Sequence, residues 1–242
     1  MNSDITPLLN GWNYDPGSVS ARWIIGRDGR LRIQLRLDLG LLQMEPEGRP
    51  DGKRPRGHAS LLDYHRALPP EAATLDPVAC SELQQEAMQY YYRYLAFHAL
   101  RYFDGVIRDT EHNLAILDLV EQRIADEDAA WAFLQFYPYI RMMNARARAE
   151  KCMGEQRETE AVSILQAAVQ DIRAFWSRNG EGEAPPGSPE IEALTDLLGR
   201  IRRQGPRSRG EELREELARA IAEEKYEDAA RLRDQLRSIG EP

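Results

Sequence analysis

Four histidines, two cysteines and one glycine-rich basic loop are the residues of this chain whose types could support metal binding, covalent catalysis or phosphate binding. A zinc site needs several His, Cys or carboxylate ligands at spacings that let them converge. His58, Asp63 and His65 are close in sequence, but no third ligand type is fixed beside them, and the segment reads as a surface loop. His98 sits among aromatics at helical spacing and reads as a core-edge residue, and His112 lies in no His-Glu-x-x-His pattern. A cysteine nucleophile needs a neighbouring base to form its thiolate. Cys80 and Cys152 have no histidine close in sequence and read as free thiols in a reducing compartment. Gly48-Arg49-Pro50-Asp51-Gly52-Lys53-Arg54 falls short of a phosphate-binding loop. Its glycines are too close, and Arg54 stands where a Ser or Thr would hold magnesium. Asp126-Glu127-Asp128 reads as a helix start, where acidic side chains favour the dipole. The expectation is a protein that is not an enzyme and uses no metal or cofactor.

One stretch could do electrostatic work. From Arg22 to Arg56 there are nine Lys or Arg against five Asp or Glu, on a chain of net charge −8. Arg22, Arg32, Arg36, Arg49, Lys53 and Arg54 are the candidate contacts for an anion or nucleic acid. The plainer reading is a solvated strand face followed by a soluble loop. An acidic chain repels a polyanion at long range, so weak or no nucleic-acid binding is expected. Tyr90, Tyr91, Tyr92 and Tyr94 read as core and core-edge residues of a helix, not as a stacking platform.

These residues must be held by elements, and the pattern predicts an α+β chain that is mostly α. Residues 12–66 form a β-hairpin zone. Leu31, Ile33, Leu35, Leu37 and Leu39 alternate with polar residues, the period of a strand. Ala21 to Ile25 precedes them, with a Gly-Arg-Asp-Gly-Arg turn between. Matching faces favours a three-residue loop, Arg27 to Gly29, pairing Ile25 with Leu31, Trp23 with Ile33 and Ala21 with Leu35. Gly29 is then left-handed, and Arg22, Arg32 and Gln34 share a wet face. An irregular Pro/Gly-rich loop follows Met44. Residues 67–80 read as a linker.

Residues 81–178 read as a helical domain of antiparallel helix pairs. Met88, Tyr91, Leu95, Ala99, Tyr102 and Val106 form one amphipathic stripe. Leu114, Leu117, Val120 and Ile124 mark a second helix. Trp131, Leu134, Tyr137, Ile140, Met143 and Ala147 mark a third, with Pro138 near a helix start or a kink. Ala161, Leu165, Ala168, Ile172 and Phe175 mark a fourth, after Gly154. Residues 179–208 read as a linker: a flexible tether at 179–189, a short helix near 190–203, and a break at Gly205-Pro206. The Met1 to Asn10 stretch lacks the pattern of a signal peptide. No apolar run approaches the ~18–20 residues of a membrane span, so a cytoplasmic location with no membrane partner is expected.

Residues 209–240 read as a helical hairpin. Leu213, Leu217, Ala220 and Ile221 lie on one face of its first helix. Tyr226, Ala229, Ala230, Arg233 and Leu236 lie on one face of its second, with Ile239 at the end and Gly240 placed to terminate it. The break at Glu224-Lys225 is too short for anything but an antiparallel return. This succession is similar to the UVR (UvrB/UvrC) motif of bacterial proteins, and the N-terminal stretch looks like that of uncharacterised bacterial members. The motif occurs in the B and C subunits of an excision nuclease, in a Clp-type ATPase and in an adaptor of that ATPase. The resemblance implies an adaptor or accessory protein. Its partner would be another UVR-motif protein, or a second copy of this chain, engaged through residues 209–240. A two-helix unit buries too little core alone, so its seam needs something to pack against.

Overall fold

The structure, a computed structural model, describes residues 4–69, 74–179, 187–204, 209–223 and 225–238. It divides into two units, Met1–Leu194 and Thr195–Pro242.

In the first unit, a short helix α1 (Thr6–Asn10) precedes an antiparallel sheet of β1 (Ala21–Ile25), β2 (Leu31–Leu37) and β3 (Gly40–Met44), in that spatial order. The β1–β2 register is the expected one: Ala21 faces Leu35, Trp23 faces Ile33 and Ile25 faces Leu31. Gly26 N–H donates to Arg30 O at 2.8 Å, closing a loop of residues 27–29 with Gly29 at φ +76°. β3 was not anticipated. Gly40–Met44 is too short to display alternation, and becomes a strand because β2 offers it an edge, with Leu35 facing Leu42 and Leu37 facing Gly40.

The expected wet face is corrected. Gln34 and Arg36 are buried. Arg22 Nε donates to Gln34 Oε1 at 2.9 Å, and Gln34 Nε2 to Gln43 Oε1 at 3.0 Å, a polar ladder across all three strands. The N-terminal segment covers this ladder. The Arg22 guanidinium lies 4.2 Å from the Trp12 ring centre, and Trp12 Nε1 donates to Ser20 Oγ at 2.7 Å. On the opposite face Trp23 packs on Phe97 and Tyr102, with ring centres 6.0 and 5.9 Å apart.

A 3₁₀ turn (Pro55–Gly57) and helix α2 (Leu61–Ala67) follow. The segment His58 to His65 is therefore not a surface loop. Ser60 caps α2 by accepting from Asp63 N–H, and His65 is buried.

The rest of the unit is helical: α3 (Pro77–Ala99), α4 (Phe103–Arg123), α5 (Glu127–Leu134), α6 (Tyr137–Gly154) and α7 (Glu158–Asn179). α3 begins inside the expected 67–80 linker, where Asp76 Oδ1 accepts from Ala79 N–H at 2.7 Å. The stripe from Met88 to Val106 is corrected too. The buried side of α3 carries Leu83, Glu86, Tyr90, Arg93, Tyr94 and Phe97. Met88 and Ala99 are exposed and Tyr91 and Leu95 half-buried, while Tyr102 and Val106 lie past a break with Arg101 at φ +56°. Charged Glu86 and Arg93 occupy the inner face, so a search for apolar residues picks the neighbouring one. At the break, a Cβ on Gly105 would lie 2.6 Å from atoms of the Phe97 and Tyr102 rings, so only glycine lets α4 start there.

The remaining helices follow expectation more closely. Asp126 caps α5 by accepting from Ala129 N–H at 2.8 Å. Pro138 lies in the first turn of α6, where its missing N–H costs nothing. Ala161, Leu165, Ala168, Ile172 and Phe175 of α7 are all buried. The expected third helix is two, α5 and α6, separated at Gln135–Phe136. Cys80 and Cys152 are free thiols. Helix α8 (Pro189–Gln204) buries Leu194, Leu197 and Ile201 along one stripe. Most of the expected tether (180–186) and the Gly205-Pro206 break lie outside the described residues.

The second unit contains the greater part of α8, from Thr195, with α9 (Arg209–Ala222) and α10 (Tyr226–Ser238). Among the described residues no helix is long and apolar enough to cross a membrane.

Candidate interaction hairpin

Helices α9 and α10 pack on each other, and their buried positions mirror one another along the chain. Leu213, early in α9, and Leu236, late in α10, are buried, as are Ala220 and Ala229 near the turn. That ordering is what an antiparallel pair requires. Alanines at the turn let the backbones converge where the connection is shortest. Lys225 N–H donates back to Ala220 O at 2.8 Å, closing α9, and Ala229 N–H donates to Lys225 O at 3.0 Å, opening α10. The Lys225 ammonium sits 2.7 Å from Glu223 and holds its carboxyl below the usual range. Pairs this exposed contribute little to stability.

The ten expected interaction residues divide. Leu213, Ala220, Ala229 and Leu236 close the inner seam, and Leu217 is half-buried beside it. Ile221 and Tyr226 do not join the seam; they are 54% and 68% exposed. Ala230 and Arg233 also face outward, Arg233 donating to neighbouring Asp234 at 3.1 Å. A contact between two helices is a narrow stripe. Ile221 follows Ala220 by one residue, roughly 100° around the helix, and leaves that stripe. Tyr226 is the first residue of α10. Ile239 and Gly240 lie outside the described residues.

The six basic candidates also divide. Arg32 Nη1 lies 2.7 Å from Asp28 and its Nη2 3.1 Å from Glu45. Arg49 lies 3.1 Å from Glu86 and 3.4 Å from Asp51. Arg22 is held by Gln34 and Trp12. Lys53 and Arg54 are exposed. Arg36 is buried and donates to carbonyl oxygens alone. Four of the six are thus already engaged within the protein, two of them by carboxylates.

Sequence reasoning passed over the buried polar groups, which organise the first unit. Glu86 accepts from Leu61 N–H at 2.8 Å and Leu62 N–H at 3.1 Å, and faces His112 Nε2 at 3.2 Å. Burial alone would raise its carboxyl, but the His112 ring and the two N–H donors hold it below the usual range. His112 stacks on Tyr90 with ring centres 3.7 Å apart. The signal available in the sequence was the seven-residue spacing of Glu86 and Arg93, which puts both on the face of Leu83, Tyr90 and Phe97. His98 faces Glu150 at 3.7 Å. Among the described residues no His, Cys, Asp and Glu group could hold a metal ion.

No curated protein and no solved structure matches the chain. Residues 210–241 do match a family model, that of the UvrB/uvrC motif. The match runs from the start of α9 past the end of α10, so the C-terminal hairpin of this protein is a UvrB/uvrC motif.

Proposed function

We propose that this is a non-enzymatic protein-interaction protein, an adaptor or accessory subunit, that docks through its C-terminal hairpin. The observation that carries this reading is the division of apolar residues on the matched hairpin. Leu213, Ala220, Ala229 and Leu236 are consumed internally, while Ile221 and Tyr226 stand in solvent. Exposed large apolar side chains on so small a unit favour a partner surface. The partner is another UVR-motif protein, of the excision-repair or Clp-ATPase kind, or a second copy of this chain, in the cytoplasm. The alternative, nucleic-acid binding through the basic zone, is weakened by the carboxylates already on Arg32 and Arg49.

The test uses the full chain with Ile221→Asp and Tyr226→Asp, read by light-scattering mass and by capture of purified UVR-motif proteins. Both positions are solvent-exposed, so helical circular dichroism should be unchanged. Association should be lost, because a carboxylate buried in an apolar contact costs several kcal/mol. Full association by both variants would refute the reading.

A further inference from the structure

Arg36 stands apart from the other basic residues. Its Nε donates to Trp12 O at 2.9 Å. Its Nη1 donates to Leu37 O, to Asp38 O at 3.0 Å and to Gly40 O at 3.0 Å, so the guanidinium is wrapped by the turn between β2 and β3. Only 9% of the residue is exposed. No carboxylate among the described residues lies within ion-pair distance of it, and none accepts from Nη2. Carbonyl dipoles solvate a buried cation but leave its unit charge in place, and a buried charge without a counter-charge is costly. Arg93, also buried, has Asp109 against it.

Arg36 also lines a cleft of about 320 Å³, whose walls include Tyr14, Tyr91 and Tyr92. The guanidinium carbon lies 5.7 Å from the Tyr14 ring centre. Tyr91 and Tyr92 stand edge to face with centres 5.3 Å apart. The nearby Asp15 carboxylate is occupied by Gly17 N–H and Ser18 Oγ at 2.9 and 2.8 Å. We propose that this cleft binds a small organic anion, with its oxyanion on Arg36 Nη2 and a flat apolar body among the tyrosines. A guanidinium pairs geometrically with carboxylate or phosphate oxygens, and tyrosine rings give a planar body large contact area at little entropic cost. The site is independent of the hairpin's docking role, and neither result bears on the other.

The experiment titrates the full chain with benzoate, phenyl phosphate and uncharged benzamide, followed by ligand-observed NMR. Saturable binding of benzoate or phenyl phosphate about tenfold tighter than benzamide supports the site and names its head group. Arg36→Gln should abolish that preference. Since it also removes the cap of the β2–β3 turn, Tyr92→Ala is the second variant; it should keep the fold and weaken anion binding several-fold. The proposal is overturned if benzamide binds as well as benzoate and phenyl phosphate, or if none of the probes saturates the folded wild type at millimolar concentration. Unchanged affinity in Tyr92→Ala, or inorganic phosphate binding as tightly as phenyl phosphate, also overturns it.

Discussion

Arg93 and Asp109 meet with no solvent contact at either side chain, through two hydrogen bonds of 2.7 Å. They join α3 to α4, and Arg93 Nη1 reaches on to Glu45 O at 2.9 Å, tying the end of the sheet to the helices. Arg108 adds Pro46 O at 2.7 Å on the same loop. The buried pair thus helps hold the strand zone on the helical domain, together with Arg108 and the packing of Trp23 on Phe97 and Tyr102.

Removing one partner leaves the other buried and unpaired. Asp109→Ala should cost about 3–5 kcal/mol, enough to threaten folding. Asp109→Asn keeps one acceptor and should cost less. The check is urea denaturation of both variants. A loss under 1 kcal/mol for Asp109→Ala, on the scale of surface substitutions, would show that water reaches Arg93.

Acid should destabilise the first unit through its buried and half-buried carboxylates, whereas exposed carboxylates with ordinary values contribute little. The His98 ring, and then Arg146 at 2.9 Å, hold Glu150 from its ordinary value of 4.5 down to about 2, against the opposing effect of burial. Glu86 is lowered as well. A folded-state value below the unfolded one means that the stabilisation is complete above the unfolded value and lost as pH falls through the folded one. Melting temperature should drop between pH 4.5 and 2, and the drop should be shallower in Glu150→Gln. Parallel curves for the two proteins would remove Glu150 from the account.

Gly105→Ala should overpack the α3–α4 junction. The added methyl group meets the Phe97 and Tyr102 rings at 2.6 Å, and Phe97 is wholly buried. Such collisions typically cost 1–3 kcal/mol, although alanine is the better helix former. A melting temperature equal to or above wild type would mean the rings give way freely.

Within the hairpin, Leu213→Asp should behave unlike the surface changes. Leu213 is 2% exposed, so the carboxylate is forced into the seam. Circular dichroism should show loss of the helical signal of α9 and α10, while the first unit keeps its melting transition. Unchanged helicity would place the seam elsewhere on the two helices.

Elements specified by local pattern were legible in the sequence. Alternation and the matching of faces across a three-residue Arg27–Gly29 loop led to the β1–β2 register, because a one-residue slip flips every side chain to the other face. The stripe Ala161 to Phe175 marked α7, since a helix with an uninterrupted apolar face announces its own core. The hairpin was legible because its alanine pair, its terminal leucines and its brief connection are all local. Three things depended on the tertiary structure. β3 exists because β2 presents an open edge. α2 starts where it does partly because Glu86, from a distant helix, takes its first N–H groups. The inner face of α3 carries Glu86 and Arg93, which a hydrophobicity pattern assigns to solvent. The last two were hidden for the same reason. Glu86 and Arg93 are buried with partners that arrive from elsewhere in the chain, and neither partner's local sequence records the meeting.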